Sequence, residues 1–310
     1  MIEQKKTTGD KVFPKLDVIC DSAAMQKIFQ DKLPDFAGRK WKITQVNVRK
    51  FQHRRGKRCT LNYCIHFKNT VEGKHGRQLY LARVLPKGKA ETKFAEAQHQ
   101  SYIQPQVGPA IHFLPELQMI LWGYPNDPKL LYLDRLLNTS KLRKNLLENW
   151  EWLNVPTGYR LAGLKTQIAK YVQQERCTLE HRLLLQSEDK TGEIELTIFS
   201  KIYTSKTDGE PIFKLSQALW NADVCQSGEL IVPEPLYYDR NINTMFHRGL
   251  PGQNLDDLLH EIDLDKTVEK IGAALAGFHQ ASLPTRYSRT REAELLDFAA
   301  GPRLLGERDG

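Results

Sequence analysis

The order of apolar and polar positions divides the chain into two stretches that predict the same succession of elements. In the first stretch, Met25, Phe29 and Leu33 recur at helical spacing, which predicts a helix that ends at Pro34. Segments rich in β-branched and aromatic residues follow it, separated by polar turns, and these predict strands. The first stretch therefore predicts three strands (41–51, 58–67 and 78–85), a helix (90–102) and two short strands (111–113 and 119–122).

The second stretch repeats this order after a linker with proline and glycine at residues 154–158. It predicts strands at 164–171, 176–186 and 194–203, a helix at 211–225, and short strands at 235–238 and 244–247. Ahead of the linker, leucines at helical spacing predict a further helix at 139–153. Behind the second stretch, short and long helices are predicted at 255–260 and 265–280, and the composition of residues 290–300 also favours a helix.

The two stretches share sequence as well as pattern. The tetrapeptide RCTL at 58–61 recurs at 176–179, an offset of 118 residues (176 − 58). At the same offset a single cation interrupts an apolar strand in each stretch, Arg83 in the first and Lys201 in the second. A further set matches at an offset of 126 (245 − 119): Pro109, Met119 and Pro125 with Pro235, Met245 and Pro251. Anchors that keep their spacing indicate an internal duplication, against the alternative of chance similarity between two mixed stretches.

We therefore predict an α+β chain of two tandem modules, each an antiparallel sheet with a helix. Residues 1–154 form the first module with its flanking helices, residues 155–252 form the second, and residues 253–310 begin a helical region. With 310 residues, of which 40% are hydrophobic, the chain is long enough to bury two cores.

Charge and cysteine content limit the kinds of partner and the cellular compartment that suit this chain. The net charge of +8 suits an anionic partner, such as a nucleotide, an acidic protein or nucleic acid, or else keeps the surface soluble. No run of about 18 apolar residues occurs, so we expect no membrane span, and the charged start lacks the apolar core of a signal peptide. Five cysteines without a CxxC pair favour free thiols in the cytoplasm over disulfides or a zinc site. Cys59 and Cys177, at matching positions, are expected to be buried.

Lys201 is the first candidate for binding chemistry. A lone ammonium in the apolar run 198–203 would be costly to bury without an anion. A strand lysine beneath a strand–turn–strand roof is how kinase-like folds hold the phosphates of ATP. The alternative is a lysine that faces water, because an alternating strand exposes every second side chain. Its position on the third strand, ahead of a helix, two strands and a Gly/Pro joint at 248–252, favours the phosphate role.

The second module resembles the small lobe of the aminoglycoside phosphotransferase and choline kinase-like family, which has a protein-kinase-like fold. The matching segments are RCTL (176–179), the lysine strand with Lys201, VPEPL (232–236), LPGQNL (250–255) and AALAGFH (273–279). The resemblance covers about residues 160–290, and residues 40–125 more weakly through the duplication. It implies that Lys201 binds the ATP phosphates, that Met245 lines the adenine pocket, and that His247, Gly249 and Leu250 belong to the hinge that carries the adenine.

The chain departs from the family's pattern in the residues that perform the reaction. The family's His-Gly-Asp-x-His-x-x-Asn loop and its later metal-binding Asp supply the base and the Mg²⁺ ligands. Neither occurs in these 310 residues, and the family would place them beyond Gly310. The predicted helix at 211–225 offers no glutamate to pair with Lys201; Gln217 is nearest, and Glu210 precedes the helix. The turn at 173–175 has no glycine to cradle phosphate with backbone N–H groups.

The first module departs further, because Arg83 replaces the lysine and a guanidinium does not reproduce an ammonium point charge. We predict a degenerate copy that docks on the second module or regulates it. The first hairpin has a basic tip with Arg54, Arg55, Lys57 and Arg58, which raises a nucleic-acid alternative. Against that alternative, the hairpin lacks aromatic residues interleaved with the cations on an open sheet, on which bases could stack.

The sequence therefore predicts the N-terminal portion of an ATP-dependent phosphotransferase that acts on a small-molecule hydroxyl. We expect it to be inactive alone because the catalytic loop is absent, with Mg²⁺ required only if the missing large lobe is present. The alternative is a non-catalytic, pseudokinase-like binding or scaffold protein, in which two modules form a groove for a partner. A basic nucleic-acid-associated protein is the third hypothesis.

Overall fold

Two five-stranded antiparallel sheets carry the fold. The computed structural model describes residues 10–189, 191–204, 206–253, 255–258, 262–281 and 283. The first sheet contains β1 (Trp41–Arg54), β2 (Arg58–Asn69), β3 (His75–Val84), β4 (Ile111–Leu114) and β5 (Met119–Gly123). The second sheet contains β6 (Tyr159–Val172), β7 (Arg176–Ser187), β8 (Glu193–Tyr203), β9 (Pro235–Asp239) and β10 (Thr244–Arg248). The predicted α+β class is confirmed.

Helices precede, connect and follow the strands. In chain order they are α1 (Leu16–Cys20), α2 (Ser22–Lys32), α3 (Pro34–Ala37), α4 (Lys89–Gln98), α5 (Leu133–Leu137), α6 (Thr139–Glu148), α7 (Lys206–Trp220), α8 (Asp223–Gln226), α9 (Leu255–Leu258) and α10 (Leu264–Gln280). Short 3₁₀ turns lie at Pro115–Leu117 and Trp150–Leu153. The predicted order of three strands, a helix and two strands is confirmed in both stretches.

The two sheets have the same topology, which is what an internal duplication predicts. The strand order is β1-β2-β3-β5-β4 in the first sheet and β6-β7-β8-β10-β9 in the second. The register also agrees: Arg83 lies opposite Thr60, and Lys201 lies opposite Thr178. Both residues of the second pair are 118 positions later than those of the first (201 − 83 and 178 − 60).

On the next strand the offset is one residue shorter than the sequence suggested. Arg83 pairs with Ile120, and Lys201 pairs with Met245, so the offset is 125 (245 − 120). The match of Met245 to Met119 is therefore wrong. A shift of one residue reverses the face of a strand. Met119 packs in the core beneath helices α1–α3, whereas Met245 packs on the opposite face of its own sheet.

Each sheet buries one face against helices that precede it in the chain. Met25 and Phe29 of α2 pack in the core of the first sheet, and Leu142 and Leu146 of α6 pack in the core of the second. The sequence-based division at residue 154 placed α5 and α6 in the first module. Their packing puts them with the second sheet, because the leucines that create the helical pattern lie in the second core.

The duplicated unit therefore begins before the strands. Helices α1 and α5 are offset by 117 residues (133 − 16), as are α2 and α6 (139 − 22). The side chain of Asp21 caps α2, and that of Asn138, at the same offset, caps α6. We call residues 10–126 the first repeat and residues 127–252 the second repeat. Cys59 and Cys177 are buried in the two cores, as predicted.

An aspartate at the start of each repeat holds the tip of that repeat's first hairpin. Asp10 Oδ2 accepts a hydrogen bond from the backbone N–H of Gly56 (2.9 Å). Asp127 Oδ2 accepts one from the backbone N–H of Gln174 (2.7 Å). The aspartates are 117 residues apart (127 − 10), and the two amides are 118 apart (174 − 56). We refer to each arrangement as the aspartate–hairpin contact.

Some boundaries differ from the predicted ones. Helix α4 ends at Gln98 rather than at residue 102, and α7 begins at Lys206, so that Pro211 lies inside it. Helix α10 is confirmed, and the apolar face formed by Val268, Ile271, Leu275 and Phe278 is exposed to solvent. The predicted helix at 290–300 and residues 259–260 lie outside the described residues.

Helix α7 approaches the turn between β9 and β10 closely at Gly209. A Cβ atom at this position would lie 2.4 Å from Asn243 Oδ1 and 2.9 Å from the ring of Tyr238. We expect Gly209→Ala to lower the free energy of unfolding by about 2 kcal/mol, because neither neighbour can move without breaking the buried turn. Urea denaturation followed by tryptophan fluorescence measures this change.

The matched control is Gly272→Ala in α10, where an added Cβ would meet nothing within 4 Å. Alanine is the better helix former there, so stability should stay constant or rise by up to about 1 kcal/mol. If the two variants were equally stable, the close approach of α7 to the turn would be contradicted.

Candidate functional site

Lys201 lies near the end of β8, with Thr178 of β7 on one side and Met245 of β10 on the other. Its side chain is half-buried, and Nζ lies 5.3 Å from the centroid of the Tyr203 ring. Burial lowers the pKa of Lys201, and the positive charges of Arg176 and Lys170 lower it further. The ammonium in this position is partly desolvated and feels the charge of two other cations.

The three cations converge because of the strand register. Lys170 on β6 is paired with Thr178, which is itself paired with Lys201. Arg176 is paired with Tyr203, two residues further along β8. Residues opposite one another share a face of the sheet, and so do residues two apart on a strand. We call Lys170, Arg176 and Lys201 the cation cluster.

Lys201 has no carboxylate partner among the side chains that the structure describes. None of their Asp or Glu oxygens lies within 4.0 Å of Lys201 Nζ. Glu210 lies inside α7 rather than ahead of it, and its carboxylate binds Lys214 (3.0 Å) and Arg240 (2.6 Å). Gln217, the other residue considered from the sequence, is exposed. The ammonium is therefore available to an anion that is not part of these elements.

Met245 and His247 lie on the same face as Lys201. Met245 is buried among Tyr203, Tyr238 and Phe213, the last of which belongs to α7. The His247 ring stacks on that of Phe199 at 5.5 Å with an interplanar angle of 10°. Burial lowers the pKa of His247, and the charge of Lys201 acts in the same direction, whereas the contact with the Arg248 carbonyl opposes them. The face thus offers a flat apolar surface beside the cation cluster.

Gly249 and Leu250 come directly after β10, beyond this face. The Gly249 N–H donates to the Thr197 carbonyl (2.8 Å), which extends the ladder to β8 by one bond. A Cβ at Gly249 would lie 2.9 Å from the Thr197 side chain and 3.0 Å from its carbonyl oxygen, so the approach requires glycine. Leu250 is exposed. The structure therefore groups Lys201, Met245 and His247, and places Gly249 and Leu250 at the edge of the group.

The equivalent face of the first repeat is covered by the second repeat. Arg83, the counterpart of Lys201, donates from Nη2 to Gln174 Oε1 at the tip of the β6–β7 hairpin (2.8 Å). Its guanidinium also lies over the Trp122 ring, 5.6 Å from the centroid. Burial lowers the pKa of Arg83, and Arg58 contributes in the same sense, whereas Asp127 opposes it. The two equivalent positions thus differ in environment: Arg83 is bonded to the other repeat, and Lys201 has no carboxylate partner among the side chains that the structure describes.

Sequence reasoning identified Lys201 but missed Lys170 and Arg176. A signal for both existed, since Arg176 opens the RCTL tetrapeptide and the strand pairing follows from a three-residue turn. The contact of Gln174 with Arg83 joins residues 91 positions apart, so no local sequence pattern could have predicted it.

Comparison of the chain with protein-family models, curated proteins and solved structures finds no match. Across the described residues, no group of three or more His, Cys, Asp or Glu side chains is arranged to hold a metal ion. Within the same residues, no helix combines the length and the apolar character that crossing a membrane requires.

Proposed function

We propose that the second repeat binds the polyphosphate of a nucleoside triphosphate, and that the chain is the N-terminal portion of an ATP-dependent phosphotransferase acting on a small-molecule hydroxyl. The observation that carries the proposal is the half-buried Lys201, flanked by Lys170 and Arg176 and without a carboxylate in the described residues. Three cations held together repel one another, and a polyanion between them removes that repulsion.

The surroundings of Lys201 suit the other parts of a nucleotide. The stacked pair of Phe199 and His247 provides an apolar surface beside the cations, against which a base can lie, and the buried Met245 lies next to this pair on the same face. Gly249 and Leu250 follow at the strand end, where the family resemblance places the hinge. In this arrangement Lys201 contacts phosphate oxygens. The Gly249 N–H is bonded to Thr197, so the edge of the base would meet the backbone beyond it, at Leu250.

The chain alone is proposed to bind ATP without turnover. Phosphoryl transfer depends on a positioned base and on metal ligands that neutralise the developing charge. The family's loop that supplies them is missing from the sequence, and Mg²⁺ would be required only together with a large lobe. With free cysteines throughout, we also propose a cytoplasmic location.

A scaffold function is the second candidate, and one observation favours it. The face of the first repeat that corresponds to the cation cluster is contacted by a protein hairpin, through the bond from Arg83 to Gln174. By analogy, the open face of the second repeat would receive a segment of a partner protein instead of a nucleotide. An acidic segment would suit the three cations.

The proposal is tested by the thermal stability of the chain with and without ATP. We expect saturating ATP to raise the melting temperature by several degrees, because a ligand that binds only the folded state stabilises it. Lys201→Met should weaken ATP binding about tenfold or more, through loss of a charge-assisted hydrogen bond. Titration calorimetry of both proteins gives the two dissociation constants.

Lys68→Met is the matched control, since Lys68 is an exposed strand lysine of the first repeat and the net charge changes equally. It should bind ATP as the unmodified chain does. Inorganic tripolyphosphate separates recognition of phosphates from recognition of the base. If ATP leaves the unmodified chain unchanged, or if Lys201→Met and Lys68→Met bind alike, the nucleotide site does not exist and the scaffold function is favoured.

A further inference from the structure

A cavity of about 340 Å³ lies between the first sheet and the hairpin tip of the second repeat. Its floor contains one row of directly paired residues across four strands, namely Lys50, Asn62, Leu81 and Trp122. Paired residues share a face of the sheet, so the row runs from a cation on the edge strand β1 to an indole on β5, next to the other edge strand. The volume is within the range of small-molecule sites.

The second repeat supplies the roof of the cavity. Tyr171, Val172 and Gln173 line it from the tip of the β6–β7 hairpin, and Tyr124 closes the end near Trp122. The rings of Tyr124 and Tyr171 meet edge to face, with centroids 5.3 Å apart. The cavity therefore exists only when both repeats are in contact, and one of its ends is aromatic.

The roof is held in place by bonds outside the cavity. The Tyr171 hydroxyl donates to Asp127 Oδ2 (2.7 Å), and Gln174 accepts from Arg83 on the next row of the first sheet. Burial raises the pKa of Tyr171, and the Asp127 carboxylate raises it further, so the phenol keeps its proton. These bonds fix the shape of the cavity before any ligand enters, which lowers the entropic cost of binding.

Asn62 provides an unused acceptor in the floor. Its Oδ1 atom is buried, and no donor among the described residues lies within hydrogen-bond distance of it. A buried acceptor without a partner is unfavourable, and a donor on a ligand would satisfy it. On the neighbouring edge strand β1, Arg49 and Lys50 line the cavity with side chains that reach solvent, where they attract an anion.

We propose that this cavity binds a small planar aromatic anion. Its ring lies at the end formed by Trp122, Tyr124 and Tyr171, and its negative group lies at Lys50 and Arg49. The Asn62 amide turns toward the ligand, so that Oδ1 accepts a hydrogen bond from a ring N–H. Each part of the ligand contacts one feature of the lining: the aromatic end, the Asn62 acceptor or the cations. Arg49 and Lys50 also attract the anion over a longer range. The site shares no residue with the cation cluster, so it stands independently of the proposed nucleotide site.

Indole-3-acetate is a suitable probe, because it combines a planar ring, an N–H donor and a carboxylate. We expect titration calorimetry to detect binding to the full chain at millimolar or lower concentration. Lys50→Met should weaken binding at least about fivefold, through loss of the charged contact. The matched control is Lys42→Met, an exposed lysine on the same strand and outside the cavity, which should bind as the unmodified chain does.

A blocking variant tests the location. Val172→Trp fills the cavity from the roof at a half-buried position and should abolish binding. Gln173→Trp serves the same purpose if the first substitution lowers the melting temperature. Undiminished binding to a folded blocking variant would overturn the proposal, as would the absence of binding to the unmodified chain.

Two further probes test the chemistry. 1-Methylindole-3-acetate lacks the donor and should bind more weakly than indole-3-acetate to the unmodified chain, whereas Asn62→Leu should bind the two alike. Cyclohexylacetate, an anion without an aromatic ring, should bind least. Equal binding of all three probes by the unmodified chain would show nonspecific attraction of anions and would contradict the proposal. ATP binding at Lys201 should be unchanged by Lys50→Met, which distinguishes failure here from failure of the nucleotide site.

Discussion

Acidification should reduce the stability of the second repeat through a single histidine. Between pH 6.5 and about pH 4, we expect His181 to lower the free energy of unfolding by about 3 kcal/mol. His181 is fully buried in the core of the second sheet. Its Nδ1 lies 2.9 Å from Thr166 Oγ1, and its Nε2 lies 2.7 Å from Ser200 Oγ.

The loss of stability on acidification follows from the protonation of His181 in the folded and unfolded states. Burial lowers the pKa of His181 from 6.5 to about 3, and the nearby charge of Glu180 offsets only part of that shift. In the unfolded chain the imidazole has its ordinary pKa and takes up a proton as the pH falls through 6.5. The unfolded state then binds more protons, so the contribution to stability is complete above pH 6.5 and is lost progressively down to about pH 3.

Urea denaturation at a series of pH values measures this effect. His181→Gln keeps a donor and an acceptor near the two hydroxyl groups but does not titrate. Between pH 6.5 and about pH 4 this variant should therefore lose about 3 kcal/mol less stability than the unmodified chain. His75→Gln, at an exposed position, is the control and should follow the unmodified chain. If His181→Gln and the unmodified chain lose stability in parallel, the histidine is charged in the folded state and the prediction is wrong.

The order of elements could be predicted because it depends on local pattern. Strand alternation and the RCTL repeat gave three strands, a helix and two strands in each half, and both sheets have that order. The partners of the helices could not be predicted in this way. The leucines of α6 reveal an apolar face, but the same face would fit either sheet, and only the tertiary packing assigns Leu142 and Leu146 to the second.

The candidate site was predictable to the extent that it depends on one strand. Met245 and His247 are two residues apart, so a strand places them on one face whatever its neighbours are. Their relation to Lys201 depends on register, and a one-residue error matched Met245 to Met119, which faces the opposite way in its own sheet. Lys170 lies between the β6–β7 turn and a register shift in β6, so its pairing with Thr178 follows from the turn. The pairing beyond the shift, from Ile168 towards the start of β6, is what strand alternation does not reveal.

Removal of the Asp127 carboxylate should be the most destabilising single change at the boundary between the repeats. Asp127 is buried, and Asp127→Ala should lower the free energy of unfolding by about 3 kcal/mol. The substitution leaves three donors without their acceptor: the Tyr171 hydroxyl (2.7 Å), the Gln174 N–H (2.7 Å) and the Lys129 N–H (2.8 Å). Urea denaturation gives the loss, and hydrogen exchange at the Gln174 amide should become faster.

Glu175→Ala is the control, because Glu175 is an exposed carboxylate in the same hairpin turn and the change in charge is identical. Its effect should stay within about 0.5 kcal/mol. Asp10→Ala extends the test to the first repeat, where the Gly56 N–H, the Val12 N–H and the His53 ring would lose their partner. Asp127→Ala should lower the free energy of unfolding more than Asp10→Ala does, because the β6–β7 hairpin tip that Asp127 holds also binds Arg83 of the first repeat. If Asp127→Ala were as mild as Glu175→Ala, the aspartate–hairpin contact would not stabilise the fold, and its occurrence in both repeats would need another cause.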